Sequence, residues 1–306
     1  MTESSDGGAR RGSAYSDAAG SAEERSETAP EGELRGDWSD VARAWERNRE
    51  RIFEQWRFVS DWLIEAITPV PGQTVLELAA GPGETGFVVA ERIAPTGRLI
   101  SSDFVADMVE AARRGAEARR LANVECRVMD AQAIDLPDDS VDGVLCRFGL
   151  MLMANPAAVL AGVRRVLRPA GRLSYAVFGA PDRNPWITTM AGAIIASGHD
   201  IGGDPFAPGG LFSLAEPDRN RQLLADSGFS DVVVDEITGI ITFDDLDGYW
   251  NFQSSISGRF ATLLAALDDE QRQDVRSHFG ELAQPYQKRG TFTLPNLVVA
   301  VAARAG

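Results

Sequence analysis

Three carboxylates and one run of small residues are placed to do chemistry together. From Val75 to Gly86 the chain reads Val-Leu-Glu-Leu-Ala-Ala-Gly-Pro-Gly-Glu-Thr-Gly: an apolar run, a turn of small residues, then a helix start. Small side chains let the backbone approach a ligand, and the first turn of the helix offers N–H groups with no intrahelical partner. The string Gly81-x-Gly83-x-x-Gly86 matches the dinucleotide fingerprint, but glycine turns that bind nothing share it, so its context must decide. Asp103 lies 22 residues after Gly81, at the end of a second apolar run, where a carboxylate can accept both hydroxyls of a ribose. Asp130 ends a third run in Val128-Met-Asp-Ala131 and can accept from an adenine amino group. Glu77 closes the first run just before the loop. Carboxylates gathered on one edge need water, or a ligand carrying positive charge and hydrogen-bond donors.

The elements that must position these residues follow from periodicity. Strands are expected at Thr74–Leu78, Arg98–Ser101, Val124–Met129, Val141–Cys146 and Arg172–Phe178, with helices at Thr85–Ile93, Ala106–Arg119 and Pro156–Leu167 between them. Alternation of this kind implies parallel pairing with right-handed crossovers, hence an α/β fold with a doubly wound, mostly parallel sheet. Ahead of the first strand, Trp38, Val41, Trp45, Ile52, Phe53, Trp56, Phe58, Val59, Trp62, Leu63 and Ile67 recur near helical spacing. They predict one or two amphipathic helices over 37–68, with one or two of the tryptophans lining a pocket. Beyond residue 180 the pattern loosens. A helix over Pro185–Ser197, a Gly/Pro-rich loop over Gly202–Gly210 and a helix over Asp218–Asp226 precede a strand at Val232–Ile241. A helical stretch from Leu246 to Phe279 leads to a closing strand at Thr291–Ala302. Residues 1–36 are polar and without apolar periodicity, and are expected to be a disordered acidic tail.

Composition limits the function classes. The 306 residues are 44% hydrophobic and 25% charged, as in average globular domains. No run approaches the ~20 apolar residues of a membrane span, and the polar N-terminus has no signal-peptide core, so a cytoplasmic protein is expected. A formal charge of −15 repels phosphate backbones and argues against nucleic-acid partners. Cys126 and Cys146 fall in apolar runs and read as buried reduced thiols, too few for a metal cluster, so no metal is expected. Among the thirty basic residues Lys288 alone is a lysine, which removes most lysine chemistry.

The sequence resembles the class I S-adenosylmethionine-dependent methyltransferases, most closely the small-molecule branch of the ubiquinone/menaquinone-biosynthesis type. The resemblance runs from Trp38 to Ala303 and is densest over Gly72–Gly179. It is carried by Val75–Gly86, Asp103-Phe-Val-Ala-Asp-Met108, Asp130-Ala-Gln-Ala-Ile-Asp-Leu-Pro137 and Leu167-Arg-Pro-Ala-Gly-Arg-Leu173, with Arg147-Phe-Gly-Leu-Met151 and Arg183-Asn-Pro-Trp186 in support. It implies a seven-stranded Rossmann-like sheet with S-adenosylmethionine as cofactor and a small-molecule acceptor as partner, without integral membrane association; a homodimer is left open. Over a 37–306 methyltransferase domain, the cofactor core would occupy 73–180, and insertions at 181–217 and 243–289 would cap an acceptor. Glu77 would support the methionine amino group directly or through the loop. Ala79, Gly81 and Gly83 would fill the small-residue positions, with Ala79 replacing the usual first glycine. Asp103 would hold the ribose, Phe104 and Met108 would pack on the adenosine, and Asp130 and Ala131 would meet the adenine edge. Arg147 would face the methyl donor or the acceptor, or else form a structural ion pair.

In-line transfer from a sulfonium needs positioning and a dry site, and a general base only for a poorly acidic acceptor. Bases are few. His199, beside the Gly/Pro-rich loop, and Arg147 are the weak catalytic candidates, while His278 reads as surface. Asp244, Asp245 and Asp247 read as helix caps. Trp186, Phe212, Tyr249 and Trp250 are candidates to line an apolar acceptor pocket for a quinone-, polyketide- or lipid-like ring. Two alternatives remain at this point: a nicotinamide-dependent oxidoreductase using the same loop, and a non-catalytic S-adenosylmethionine-binding subunit. Against the first stands the lack of any Tyr-x-x-x-Lys pair, since Gln284 lies four before Lys288; against the second, the intact Gly81, Gly83 and Asp103.

Overall fold

Short β-branched runs alternating with amphipathic helices fold as the period predicts, and the computed structural model describes residues 31–306. The expected tail lies outside the described residues up to residue 30. Residues 31–36 instead open helix α1 (Glu31–Arg47), because extending a helix costs far less than nucleating one. Two further short helices follow, α2 (Arg49–Gln55) and α3 (Arg57–Ile67). The single amphipathic stretch is broken at Asn48 and again at Trp56, whose φ −114° and ψ 22° leave the helical region.

The core then runs β1 (Thr74–Glu77), α4 (Glu84–Ile93), β2 (Arg98–Asp103), α5 (Ala106–Ala118), β3 (Val124–Val128), β4 (Val141–Arg147), α6 (Pro156–Val166) and β5 (Leu167–Phe178). The second half adds α7 (Pro185–Ala196), α8 (Pro217–Asp226), β6 (Phe229–Phe243), α9 (Leu246–Ile256), α10 (Gly258–Ala266), α11 (Asp269–Ala283), β7 (Gln287–Lys288) and β8 (Thr291–Ala305).

The sheet order is β3-β2-β1-β4-β5-β8-β6. β1 to β5 are parallel, and β8 inserts antiparallel between β5 and β6. Among the described residues the count is eight strands rather than the seven expected, because β7 folds back on the start of β8. Arg289 and Gly290, both at positive φ, form the two-residue loop of that hairpin. Val298 to Val301 of β8 are all fully buried, as a central strand covered on both faces requires. α3 packs its apolar side, Leu63 and Ile67 among it, across β4, β5 and β8, and such burial is worth about 1.5–3 kcal/mol per large side chain. No described helix is long and apolar enough to cross a membrane.

Candidate active site

The carboxylates and the glycine loop meet at the C-terminal edge of the parallel strands. After β1 the backbone turns through Ala79, Gly81 and Gly83 at φ 49°, 54° and 89°, a left-handed path that glycine follows without strain. Ala79 follows it despite its Cβ, and Gly149 makes the room: a Cβ there would lie 2.4 Å from that of Ala79. The loop is tied to its neighbours by the N–H of Ala80 to the Ser102 carbonyl at 2.9 Å and that of Gly83 to Ala80 at 3.0 Å. A Cβ on Gly81 would meet nothing within 4 Å, so the apex of the turn faces open space.

Asp103 is buried, 7% exposed. Its Oδ2 accepts the Gly81 N–H at 2.9 Å and its Oδ1 the Val105 N–H at 3.0 Å. Burial pushes its pKa up, opposed by the backbone N–H groups that favour the charged form. A carboxylate has about four lone-pair sites, so it can still accept from a ligand. Glu77 is deeper: Oε1 accepts the Gly86 N–H at 2.9 Å and Oε2 the Ser101 hydroxyl at 3.2 Å. Burial drives its pKa up to about 8 against the pull of Arg147. Glu77 therefore acts on the loop from beneath, through the first turn of α4. Asp130 caps a short turn over Ala131–Ala133 by accepting the Gln132 N–H at 2.8 Å. Phe104 is half-buried, and Met108 is buried with Ala42 of α1 and Val105. α1 thus lies against the edge that Asp103 opens.

Arg147 ends β4 and donates to Ser60 Oγ at 3.2 Å, and Ser60 bonds Thr85 Oγ1 at 2.9 Å. Burial lowers its pKa to about 10, offset by the field of Glu77 and Glu84. It forms no ion pair with a described carboxylate, so the structural role open to it is this hydroxyl chain.

One group of loop residues has no motif in the sequence. Glu84, at the first position of α4 and 3% exposed, is ion-paired with both Arg49 of α2 and Arg119 beyond α5. Arg49 also donates to the Pro82 carbonyl at 3.1 Å, and both guanidiniums lie over the Phe87 ring at 5.9 and 5.1 Å. The signal available was a bare glutamate in the loop. Its partners lie 35 residues away on either side, a distance no local pattern spans.

His199 follows the end of α7, a helix of 12 residues, and its N–H bonds the Ile194 carbonyl at 3.1 Å. His278 of α11 bonds Ser197 at 3.2 Å, tying α11 to the end of α7. Asp245 caps α9 by accepting the Gly248 N–H at 2.7 Å, and Asp247 pairs with Arg276. Cys146 is buried with its thiol pushed up to about 12, while Cys126 is only half-buried.

All four aromatic candidates, Trp186, Phe212, Tyr249 and Trp250, are buried in the packed core. Tyr249 donates to the Trp186 carbonyl at 2.9 Å. Trp186 itself joins Trp56, Phe148 and Phe178 in one aromatic group. Phe148 directly follows Arg147, so this group borders the loop. A groove of about 710 Å³ lined by Trp62, Arg172, Asp231 and Arg304 lies elsewhere, where β5 begins and β8 ends, away from the carboxylates.

Known proteins share parts of this sequence and fold. A family model described as a methyltransferase domain matches residues 69–195. A demethylmenaquinone methyltransferase from Deinococcus radiodurans is 32% identical over 175 residues, which cover 54% of this chain and 70% of that protein. An uncharacterized 37.1 kDa protein in a Streptomyces fradiae transposon is 40% identical over 120 residues, 39% of this chain, and the chain spans only 33% of its length. In three dimensions the YcgJ protein from Bacillus subtilis superposes with a TM-score of 0.55 at 16% identity, covering 81% of this chain and 98% of that one.

Proposed function

Because the chain belongs to the class I S-adenosylmethionine-dependent methyltransferases, we propose that it transfers a methyl group to a small apolar acceptor lodged between the glycine loop and the aromatic group around Trp56. The observation that carries this reading is Asp103 joined to the Gly81 N–H at a turn whose apex faces open space. Family membership also sets aside the nicotinamide reading of the glycine string.

The residues present fit S-adenosylmethionine. The loop holds three left-handed positions, at Ala79, Gly81 and Gly83, so its backbone can approach a ligand. Asp103 keeps lone pairs for ribose hydroxyls, Asp130 and Ala131 stand at the adenine side, and Phe104 borders the same edge. When bound, the cofactor supplies a methyl group activated by a sulfonium. The chain's own residues then bind, orient and exclude water. Glu77 fixes the first turn of α4, and Arg147 holds the end of β4 through Ser60. The segments 181–217 and 243–289 supply Trp186 and Phe252 to the aromatic group around Trp56, which supports their role as the acceptor cap. No histidine or lysine hydrogen-bonds to the loop among the described residues. The acceptor accordingly presents an atom that is nucleophilic without a strong protein base, such as an ionised hydroxyl or an enolic carbon.

The test is transfer of a labelled methyl group from S-adenosylmethionine to a panel of aromatic and isoprenoid acceptors, set beside polar metabolites. Methylation confined to the apolar members is expected. Methylation of the polar ones alone overturns the acceptor assignment.

A further inference from the structure

We infer that the Trp56 indole N–H and the Asn296 amide are the polar anchors of the acceptor site, positioning an apolar ring that carries hydrogen-bonding oxygen. The inference rests on the methyl-transfer reading above. Among the described residues, the buried side-chain polar atoms without a hydrogen-bond partner are Trp56 Nε1, Gln55 Oε1 and both amide atoms of Asn296. Buried polar groups are almost always partnered. Gln55 and Trp56 adjoin at the α2–α3 break, and Asn296 is the register partner of Gly239 of β6, against which Phe58 of α3 packs.

Trp56 lies at the break between α2 and α3 and is 3% exposed. Its ring stands 4.9 Å from Trp186, 6.1 Å from Phe148 and 6.3 Å from Phe252, centroid to centroid. Phe148 stacks on Phe178 at 4.4 Å and follows Arg147 at the donor edge, where Gly149 abuts Ala79 of the loop. Phe148 is half-buried, so the group is not sealed on that side. Asn296, 1% exposed, sits on β8 two residues from Val298, the register partner of Phe178. It therefore shares the sheet face of Phe178, just past the end of β5. Gln55, the neighbour of Trp56, uses its nitrogen on the Thr242 carbonyl at 3.1 Å, which fastens the α2–α3 junction to β6.

The chemistry is specific. An indole nitrogen only donates, so Trp56 needs an acceptor atom such as a ring oxygen. An asparagine amide both donates and accepts, so Asn296 suits a hydroxyl or a carbonyl. The aromatic group favours a ring packed against its half-buried Phe148 side. A ring lacking oxygen would leave both anchors unpaired and would be rejected on that account.

The full-length protein saturated with S-adenosylhomocysteine would be dialysed to equilibrium against 1-naphthol and against naphthalene, two rings differing by one hydroxyl. The wild type is expected to bind 1-naphthol about tenfold more tightly, the size of one hydrogen bond. Trp56→Phe keeps the ring and removes the donor, so its preference should fall to about twofold or less with naphthalene binding unchanged. Asn296→Leu should lower the preference in the same direction. No preference in the wild type, or the wild-type preference retained in Trp56→Phe, overturns the inference; the second outcome would mean that the N–H serves only an internal water. Calorimetry with S-adenosylhomocysteine on the same samples separates the causes. If the wild type fails to bind it, the methyl-transfer reading falls. If only Trp56→Phe fails, that variant is misfolded and Asn296→Leu decides.

Discussion

Asp103 Oδ2 accepts the N–H of Gly81 at 2.9 Å, so the end of β2 holds the apex of a turn that begins at the end of β1. One carboxylate thereby shapes the loop and stays open toward its ligand side. Two glycines of that loop differ in what they permit. Gly81 has free space where a Cβ would stand, whereas a Cβ on Gly86 would lie 2.1 Å from Glu77 Oε2. Gly81→Ala should cost only the strain of its left-handed φ, about 1 kcal/mol. Gly86→Ala should cost about 1–3 kcal/mol through overpacking and should weaken cofactor binding as α4 shifts. Urea unfolding of the two variants checks the order, and an equal loss in both would contradict it.

Glu77 gives the fold a pH dependence of known sign. Its pKa rises from 4.5 to about 8 on folding, so the folded state binds the proton more tightly than the unfolded chain. Its stabilisation is complete below about pH 4.5 and is lost as pH rises to about 8. Glu77→Gln, which keeps an oxygen for the Gly86 N–H, should show a flatter fall in melting temperature across that window. A fall as steep as the wild type's would contradict the assignment.

Arg49 braces the loop through two groups, Glu84 and the Pro82 carbonyl. Arg49→Ala leaves a buried carboxylate with Arg119 alone and should destabilise the fold by about 1–3 kcal/mol. Arg49→Lys should recover little, because an ammonium cannot reproduce the fork that spans both partners. Thermal unfolding of the two variants tests this; full rescue by lysine would refute the two-point brace.

Much of this was legible in the residues. The strand ends that carry Glu77, Asp103, Asp130 and Arg147 come from short apolar runs, and parallel alternation puts such ends on one edge. Asp245 as a cap was equally local. What escaped was whatever depends on distant partners. The Arg49–Glu84–Arg119 cluster joins three segments, and the break at Trp56 interrupts an unbroken apolar periodicity. β7 is a two-residue return set by positive φ at Arg289 and Gly290. Phe212, Tyr249, Trp250 and Trp186 are indistinguishable by type and all four pack into one core, where Trp186 alone of them contacts the ring of Trp56.

The most direct test is calorimetric titration of the protein with S-adenosylmethionine, and separately with NADH, beside an Asp103→Ala variant whose fold is verified by circular dichroism. Saturable sulfonium binding by the wild type is expected, weakened at least about tenfold in the variant as charged hydrogen bonds are lost, with no heat from NADH. Undiminished binding in a folded Asp103→Ala protein, or binding of NADH instead, would contradict the site described above.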